Sequence, residues 1–289
     1  MAPAIAAIAI LAAAVTALLL TSPDAKEEAA TPKARATPPP TQTSTALVGA
    51  YGRELGADGQ YGRWLGDRAT FALRRSRAPE RWLAFRASSY RRTRRMRLTS
   101  KGGMAFKTVV PREPGARLIG PIKSPTQSLT IAVAPRATAG PGDDRRRLSV
   151  FISALHETHQ PLAALPGKGF LPEEESPRDV RRFNWLSQDG DVDIVAGPRQ
   201  PRAYLAFDAR SSRTRWLTIR AGSDPARRVN VPGSGSDTHV VVGPFTLRRG
   251  HARIRFHATP GPDRGSGKDP RRLSVRLADL KASNSAAGL

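Results

Sequence analysis

The chain has 289 residues, enough for one large or two ordinary domains with cores of their own, and its 39% hydrophobic and 25% charged residues exclude wholesale disorder. The formal net charge is +23 and all but eight of the 47 cationic residues are arginine, a bias that admits either a surface gripping phosphate and carboxylate through paired hydrogen bonds or a coding habit that raises Arg, Ala, Gly and Pro together. Cysteine is absent, which excludes disulfides, thiolate nucleophiles and Cys-based zinc sites.

In chain order, the first element is the uncharged run "APAIAAIAILAAAVTALLL" from Ala2 to Leu20. As a helix it would cover ~28 Å, about one bilayer core. No Lys or Arg precedes it, and Pro23 spoils the small-x-small pattern of a cleavage site. Residues 1–20 are therefore expected to be a transmembrane anchor or uncleaved signal, with a cleaved signal and a buried helix as rivals. Lys26, Lys33 and Arg35 follow the run, and a literal positive-inside count would leave the rest in the cytoplasm. The character of the following sequence favours the exterior, so the expected location is a single-pass plasma-membrane protein with extracytoplasmic domains. Residues 21–45, rich in Pro, Ala and Thr, read as an extended linker.

Two nearly identical phrases follow, "DRRRLSVFISAL" (Asp144 to Leu155) and "DPRRLSVRLADL" (Asp269 to Leu280). Around them the similarity extends outward. Trp64 falls on Trp185, Pro79 on Pro201, Trp82 on Tyr204 and Phe85 on Phe207, and "LIGPI" (Leu118 to Ile122) meets "VVGPF" (Val241 to Phe245). Apolar residues alternate within each copy, as at Leu129, Ile131 and Val133 or Ile254 and Phe256. A period of two marks strands with one wet face, and Gly, Pro, Asp and Ser clusters mark turns between them. The expected fold class is all-β: two tandem jelly-roll or galactose-binding-like sandwiches after one N-terminal transmembrane helix. The expected boundaries are β-sandwich 1 over 46–162, a connector over 163–181, β-sandwich 2 over 182–284 and a tail over 285–289.

"GAYGRELGADGQYGRWLGDRATFAL" (Gly49 to Leu73), followed by the ending "GPGDDRRRLSV", resembles the soluble C-terminal domains of bacterial polytopic membrane glycosyltransferases of the dolichyl- or polyprenyl-phosphate-sugar-dependent type. Gly49, Tyr51, Glu54, Arg63 and Trp64 match the family's opening, and Asp269 to Val275 match its closing strand; the likeness covers roughly residues 46–284. It implies a sandwich exposed at the cell envelope, assisting a transferase or binding glycan. The family's catalytic acids lie between transmembrane helices, and this chain has room for one such helix, so no transferase site carries over.

Candidate sites are sparse. "HETH" (His156 to His159) has the wrong spacing for a zinc helix, and no Gly-x-Ser-x-Gly, Walker loop or dinucleotide fingerprint is present. Asp189, Asp191 and Asp193 share one strand face and could offer oxygens to calcium, the one cofactor considered; a solvated acidic face neutralised by arginines is the commoner outcome. Trp64, Trp185, Trp82 and Tyr204 recur in both copies and read as packing aromatics. Trp216, Tyr51, Tyr61 and Tyr90 lack an aromatic twin and are the sugar-platform candidates. In "SSYRRTRRMR" (Ser88 to Arg97), Arg91, Arg92, Arg94 and Arg95 are the polyanion candidates, with the proviso that alternate residues of a strand face opposite sides.

No catalytic constellation is present. The expected function is a membrane-anchored, extracytoplasmic, non-catalytic accessory that binds a cell-envelope glycan or acidic polymer, in partnership with the membrane through its N-terminal helix and with a membrane glycosyltransferase. One alternative is a detached C-terminal part of such a transferase acting with separate catalytic helices. The other is a cytoplasmic polyanion or nucleic-acid binder, which needs a cytoplasmic orientation and a continuous basic stripe.

Overall fold

The computed structural model describes residues 46–176, 181–264 and 269–289; the expected anchor and linker lie outside them. In chain order the strands are β1 (Ala46–Leu55), β2 (Tyr61–Ala72), β3 (Glu80–Ser89), β4 (Arg94–Thr99), β5 (Ala105–Val110), β6 (Gly115–Lys123) and β7 (Ser128–Ala134). Then come β8 (Thr138–Ala139), β9 (Arg147–Leu148), β10 (Val150–Thr158), β11 (Leu162–Pro166), β12 (Glu174–Glu175), β13 (Arg182–Leu186) and β14 (Asp189–Ala196). The last are β15 (Arg202–Ser211), β16 (Arg215–Ala221), β17 (Arg227–Val231), β18 (Thr238–Thr246), β19 (His251–Thr259), β20 (Asp263–Arg264), β21 (Arg272–Leu273) and β22 (Val275–Ser283). The described residues contain no α-helix and only a 3-10 turn at Ala286–Gly288, and no helix among them is long and apolar enough to cross a membrane.

Period-two alternation decides the layers. In β7, Leu129, Ile131 and Val133 are buried while Thr130, Ala132 and Ala134 face outward; β19 repeats this with Ala252, Ile254, Phe256 and Ala258 inside. The N-terminal strands form one eight-stranded sheet in the order β5-β4-β7-β2-β10-β3-β6, with β1 also on β2. Strand β2 serves two layers, since residues 62–64 pair with β10 and residues 68–72 pair with β7. Between those layers lies an apolar core that includes Leu65, Phe71, Phe85 and Ile131. The C-terminal strands form two five-stranded sheets, β11-β14-β19-β16-β17 and β12-β13-β22-β15-β18, around a second core with Phe207, Leu217 and Phe256. There the strand matching β2 is interrupted at Ser187 and Gln188, and β13 and β14 take the two layers separately.

The repeated phrase has a physical job in both places. Ser149 and Ser274 are buried, and each donates its N–H and its hydroxyl to one carbonyl, that of Leu65 (2.9 and 3.1 Å) or Leu186 (2.9 and 2.8 Å). Asp144 and Asp269 each accept a backbone N–H two residues on, at 3.0 Å, and hold the guanidinium of Arg146 or Arg271, which also reaches Glu54 or Glu174. Further along, Ala154 (φ 48°) and Asp279 (φ 50°) sit at slips in strand register, the mark of a β-bulge. The glycines of "LIGPI" and "VVGPF" are matched too. A Cβ on Gly120 would stand 2.7 Å from the Trp82 ring, and one on Gly243 would stand 3.0 Å from the Tyr204 ring.

The segment 163–181, expected as a connector, differs from that expectation. Its start belongs to β11, which pairs with β14 from Leu162↔Ala196 to Pro166↔Val192. Leu162 and Ala164 enter the C-terminal core together with Phe170, while Ala163 and Leu165 pack on Ala84, Ala116 and Val195. A strand covered on both faces has no polar alternation to betray it. The strands of the two sets are thus joined only by His159, Gln160 and Pro161.

The contact between the strand sets is ionic as well as apolar. Arg86 of β3 is buried, and its Nε donates to Asp58 at 3.0 Å while its Nη1 pairs with the fully buried Asp193 of β14. Ser153 donates to Asp58 at 3.1 Å, and Gln60 donates to the Phe170 carbonyl at 2.9 Å. Gly167 keeps room for this cluster, since a Cβ there would lie 2.9 Å from the guanidinium.

Candidate functional site

The outer face of the sheet β11-β14-β19-β16-β17 carries acidic, basic, hydroxyl, amide and aromatic side chains together. Strand register lines up Asp189, His257, Thr218 and Arg228 across four strands, and next to them Thr259, Trp216 and Asn230 across three. Trp216 is 43% exposed, and the Arg228 guanidinium stands 4.9 Å from its ring centroid, a cation–π pair that holds the ring on the sheet. His257 Nδ1 meets Asp189 Oδ1 at 2.7 Å. A flat aromatic surface beside hydroxyl, amide, imidazole and carboxylate groups can stack the apolar face of a sugar ring and hydrogen-bond its hydroxyls.

Along the same strands the face turns cationic. Arg220 and Arg255 are direct cross-strand partners, and with Arg248, His251, Arg253 and Asp224 they line a cleft of about 750 Å³. Of the three aspartates proposed as calcium ligands, Asp189 is on the sugar-ready row and Asp191 lies one row along. Asp193 is a correction. It is buried and accepts from Arg253 Nε at 3.0 Å and meets His251 Nε2 at 3.2 Å, besides pairing with Arg86. Burial alone would push its carboxyl up, but the hydrogen bond from His251 and the charges of Arg86 and Arg253 overcome this and hold it well below the usual range. With its oxygens engaged by cations, the three carboxylates do not form a metal cage; among the described residues no group of three or more His, Cys, Asp or Glu is placed to hold a metal ion.

The tyrosines do not join Trp216. Tyr51 accepts the Arg147 N–H at 3.2 Å and lies under the Arg146 guanidinium. Tyr90 packs edge-on against Trp64 with centroids 5.8 Å apart. Tyr61 is 46% exposed under Arg53 and lines a second cleft, about 670 Å³, with Arg182, His156 and Glu173. Burial pushes the His156 imidazole down, a backbone hydrogen bond with Ala154 pulls it partly back, and the charge of Arg182 adds to the lowering.

Within the arginine run, Arg91 and Arg92 lie in the bend before β4, and parity along β4 separates Arg94 from Arg95. Arg91, Arg92 and Arg95 are exposed, whereas Arg94 is fully buried and is no polyanion ligand. It donates to the carbonyls of Pro135, Arg136 (2.6 Å) and Leu148 (3.4 Å) and to Thr138 Oγ1 (3.2 Å). Burial and the neighbouring Arg92 push its pKa down, against Asp67. Arg215 is its fully buried counterpart, with Asp263 at 2.7 Å. Sequence reasoning missed Arg228, Thr218, His257 and Asn230: Thr218 is two residues along the strand from Trp216 and Arg228 and Asn230 lie on the next strand, so alternation and a hairpin register could have found them, whereas His257 is brought in by the distant strand β19.

No protein-family model and no curated protein matches the chain. Among solved structures it is similar to the M60 catalytic domain with the CBM51-1 and CBM51-2 domains of Clostridium perfringens ZmpB, at 8% identity and TM-score 0.27 over 82% of this chain and 38% of that one. It is similar to the CBM22-1-CBM22-2 tandem domain of Paenibacillus barcinonensis Xyn10C, at 6% identity and TM-score 0.23 over 83% and 91% of the two chains. A Bacillus thuringiensis Cry1Da tryptic core variant gives 11% identity and TM-score 0.31 over 83% of this chain and 50% of that one. Likenesses this distant leave function to be argued from the residues.

Proposed function

We propose that the protein is a non-catalytic glycan-binding accessory held at the outside of the cell membrane, with the sugar on the Trp216 face. One observation carries the reading: Trp216 is an exposed aromatic fixed on a rigid sheet by Arg228 and bordered by Thr218, Asn230, Thr259 and the His257–Asp189 pair. Trp216 is left 43% open to water, and stacking and hydrogen bonding to a sugar would use the ring and each of its neighbours. The uncharged apolar run Ala2–Leu20 is long enough to serve as the anchor. The resemblance of residues 46–284 to membrane glycosyltransferase tails supports placement beside such an enzyme.

Titration of the full chain with a panel of neutral and acidic oligosaccharides, followed by isothermal titration calorimetry, tests the site. At least one glycan should bind at millimolar concentration or better, and Trp216→Ala should weaken it about tenfold, the order of one stacked ring. Wild-type affinity in Trp216→Ala, or no binding across the panel, would overturn the reading. A phosphatase or green-fluorescent fusion after Leu289 tests the side of the membrane; fluorescence without phosphatase activity would place the strands inside.

A further inference from the structure

The matching face of the N-terminal strands has a different chemistry. Register lines up Arg68, Ala132, Arg97 and Lys107 across β2, β7, β4 and β5, the positions that Asp189, His257, Thr218 and Arg228 hold across β14, β19, β16 and β17. The neighbouring row is Ala134, Arg95 and Val109, where the other face has Thr259, Trp216 and Asn230. Arg68, Arg95, Arg97 and Lys107 are all exposed, and among the described residues none of them has a carboxylate at ion-pair distance, whereas Arg253 and His257 have Asp193 and Asp189. Arg97 and Lys107 stand directly opposite one another. Like charges so placed destabilise a sheet, and no carboxylate among the described residues lies at ion-pair distance to relieve them.

Strands lie ~4.8 Å apart, so the row Arg68, Arg97, Lys107 spans roughly 15 Å in a line. Guanidinium groups bind carboxylate, phosphate and sulfate through paired hydrogen bonds, and the small Ala132 and Ala134 of β7 beside them leave the face low enough for a chain to lie across it. The two rows hold no aromatic ring on which a base could stack, as single-stranded nucleic acid binding requires. A line of cations fits an extended polymer better than a plane of headgroups. We propose that Arg68, Arg95, Arg97 and Lys107 form a docking strip for an acidic polysaccharide bearing carboxylate, phosphate or sulfate groups.

The probes are dextran sulfate and polygalacturonate, with neutral dextran, oligothymidylate and phosphatidylglycerol vesicles alongside, all titrated into the full chain at several salt concentrations. The double variant Arg97→Gln/Lys107→Gln should bind both acidic polysaccharides about tenfold more weakly and lose roughly two units of the slope of log K against log salt, by counterion release. Arg202→Gln/Arg272→Gln, which removes the same charge from exposed positions elsewhere, should bind as wild type. Trp216→Ala should also leave the strip intact, so failure of the glycan face and failure of the strip are told apart. Equal losses in the two double variants, no binding of either polysaccharide, or tighter binding of oligothymidylate or vesicles than of the polysaccharides would overturn the proposal.

Discussion

Asp193 and Arg94 show how far burial changes the duty of a charged residue. Each was a candidate ligand on sequence grounds, and each instead is engaged inside the protein, Asp193 with Arg86 and Arg94 through its two terminal nitrogens. Removing one member of a buried pair leaves the other charge without a partner, so Asp193→Asn should lower stability by about 3–5 kcal/mol, read from urea unfolding. The pH dependence follows from the depressed carboxyl. Its contribution is fully present above the unfolded aspartate value, near 3.9, and is lost as pH falls from there through the folded value. The difference in stability between wild type and Asp193→Asn should therefore shrink as pH is taken from 6 toward 2 (about the range of carboxylate titration); a constant difference would refute that role. Arg94→Ala should cost about 3 kcal/mol at neutral pH, through carbonyls left without a donor and the space of the lost side chain.

At the scale of elements, β11 is the informative case. Leu165 is fully buried on the face opposite Leu162 and Ala164, so Leu165→Ala should lower unfolding free energy by about 2–5 kcal/mol. A change near zero would return residues 163–166 to the status of a tether. The strands with one wet face were legible from alternation alone, as at Leu129, Ile131 and Val133. Strand β11 was not, because "LAAL" is equally apolar on both sides and reads like the small residues of a linker. The same logic explains the cationic strip. Parity along the chain separates Arg95 and Arg97 from Arg94 and Met96, but only register brings Arg68 and Lys107 into their line.

For the molecule as a whole, the described residues form a single compact unit in which two apolar cores share a buried seam. Strand β3 has one face in the N-terminal core, through Leu83 and Phe85, and the other on the seam, through Ala84 and Arg86. Neither strand set could unfold without exposing Arg86, Asp193 and Leu165 to water. Calorimetry of the chain should accordingly give one transition with matching calorimetric and van't Hoff enthalpies; two resolved transitions would mean that the seam contributes little.

The sequence by itself determined the all-strand character, the inward set of apolar residues and the duplicated Asp, Arg and Ser of the closing phrase, because side-chain parity and turn chemistry act over a few neighbouring residues. Tertiary structure alone decided that Asp193 is withdrawn from any ligand and that His257, Asp189 and Thr259 join the Trp216 face. Those depend on pairing between strands some 40 or more residues apart in several cases, such as Asp189 with His257, and on one sheet covering the face of another, neither of which leaves a local periodic trace.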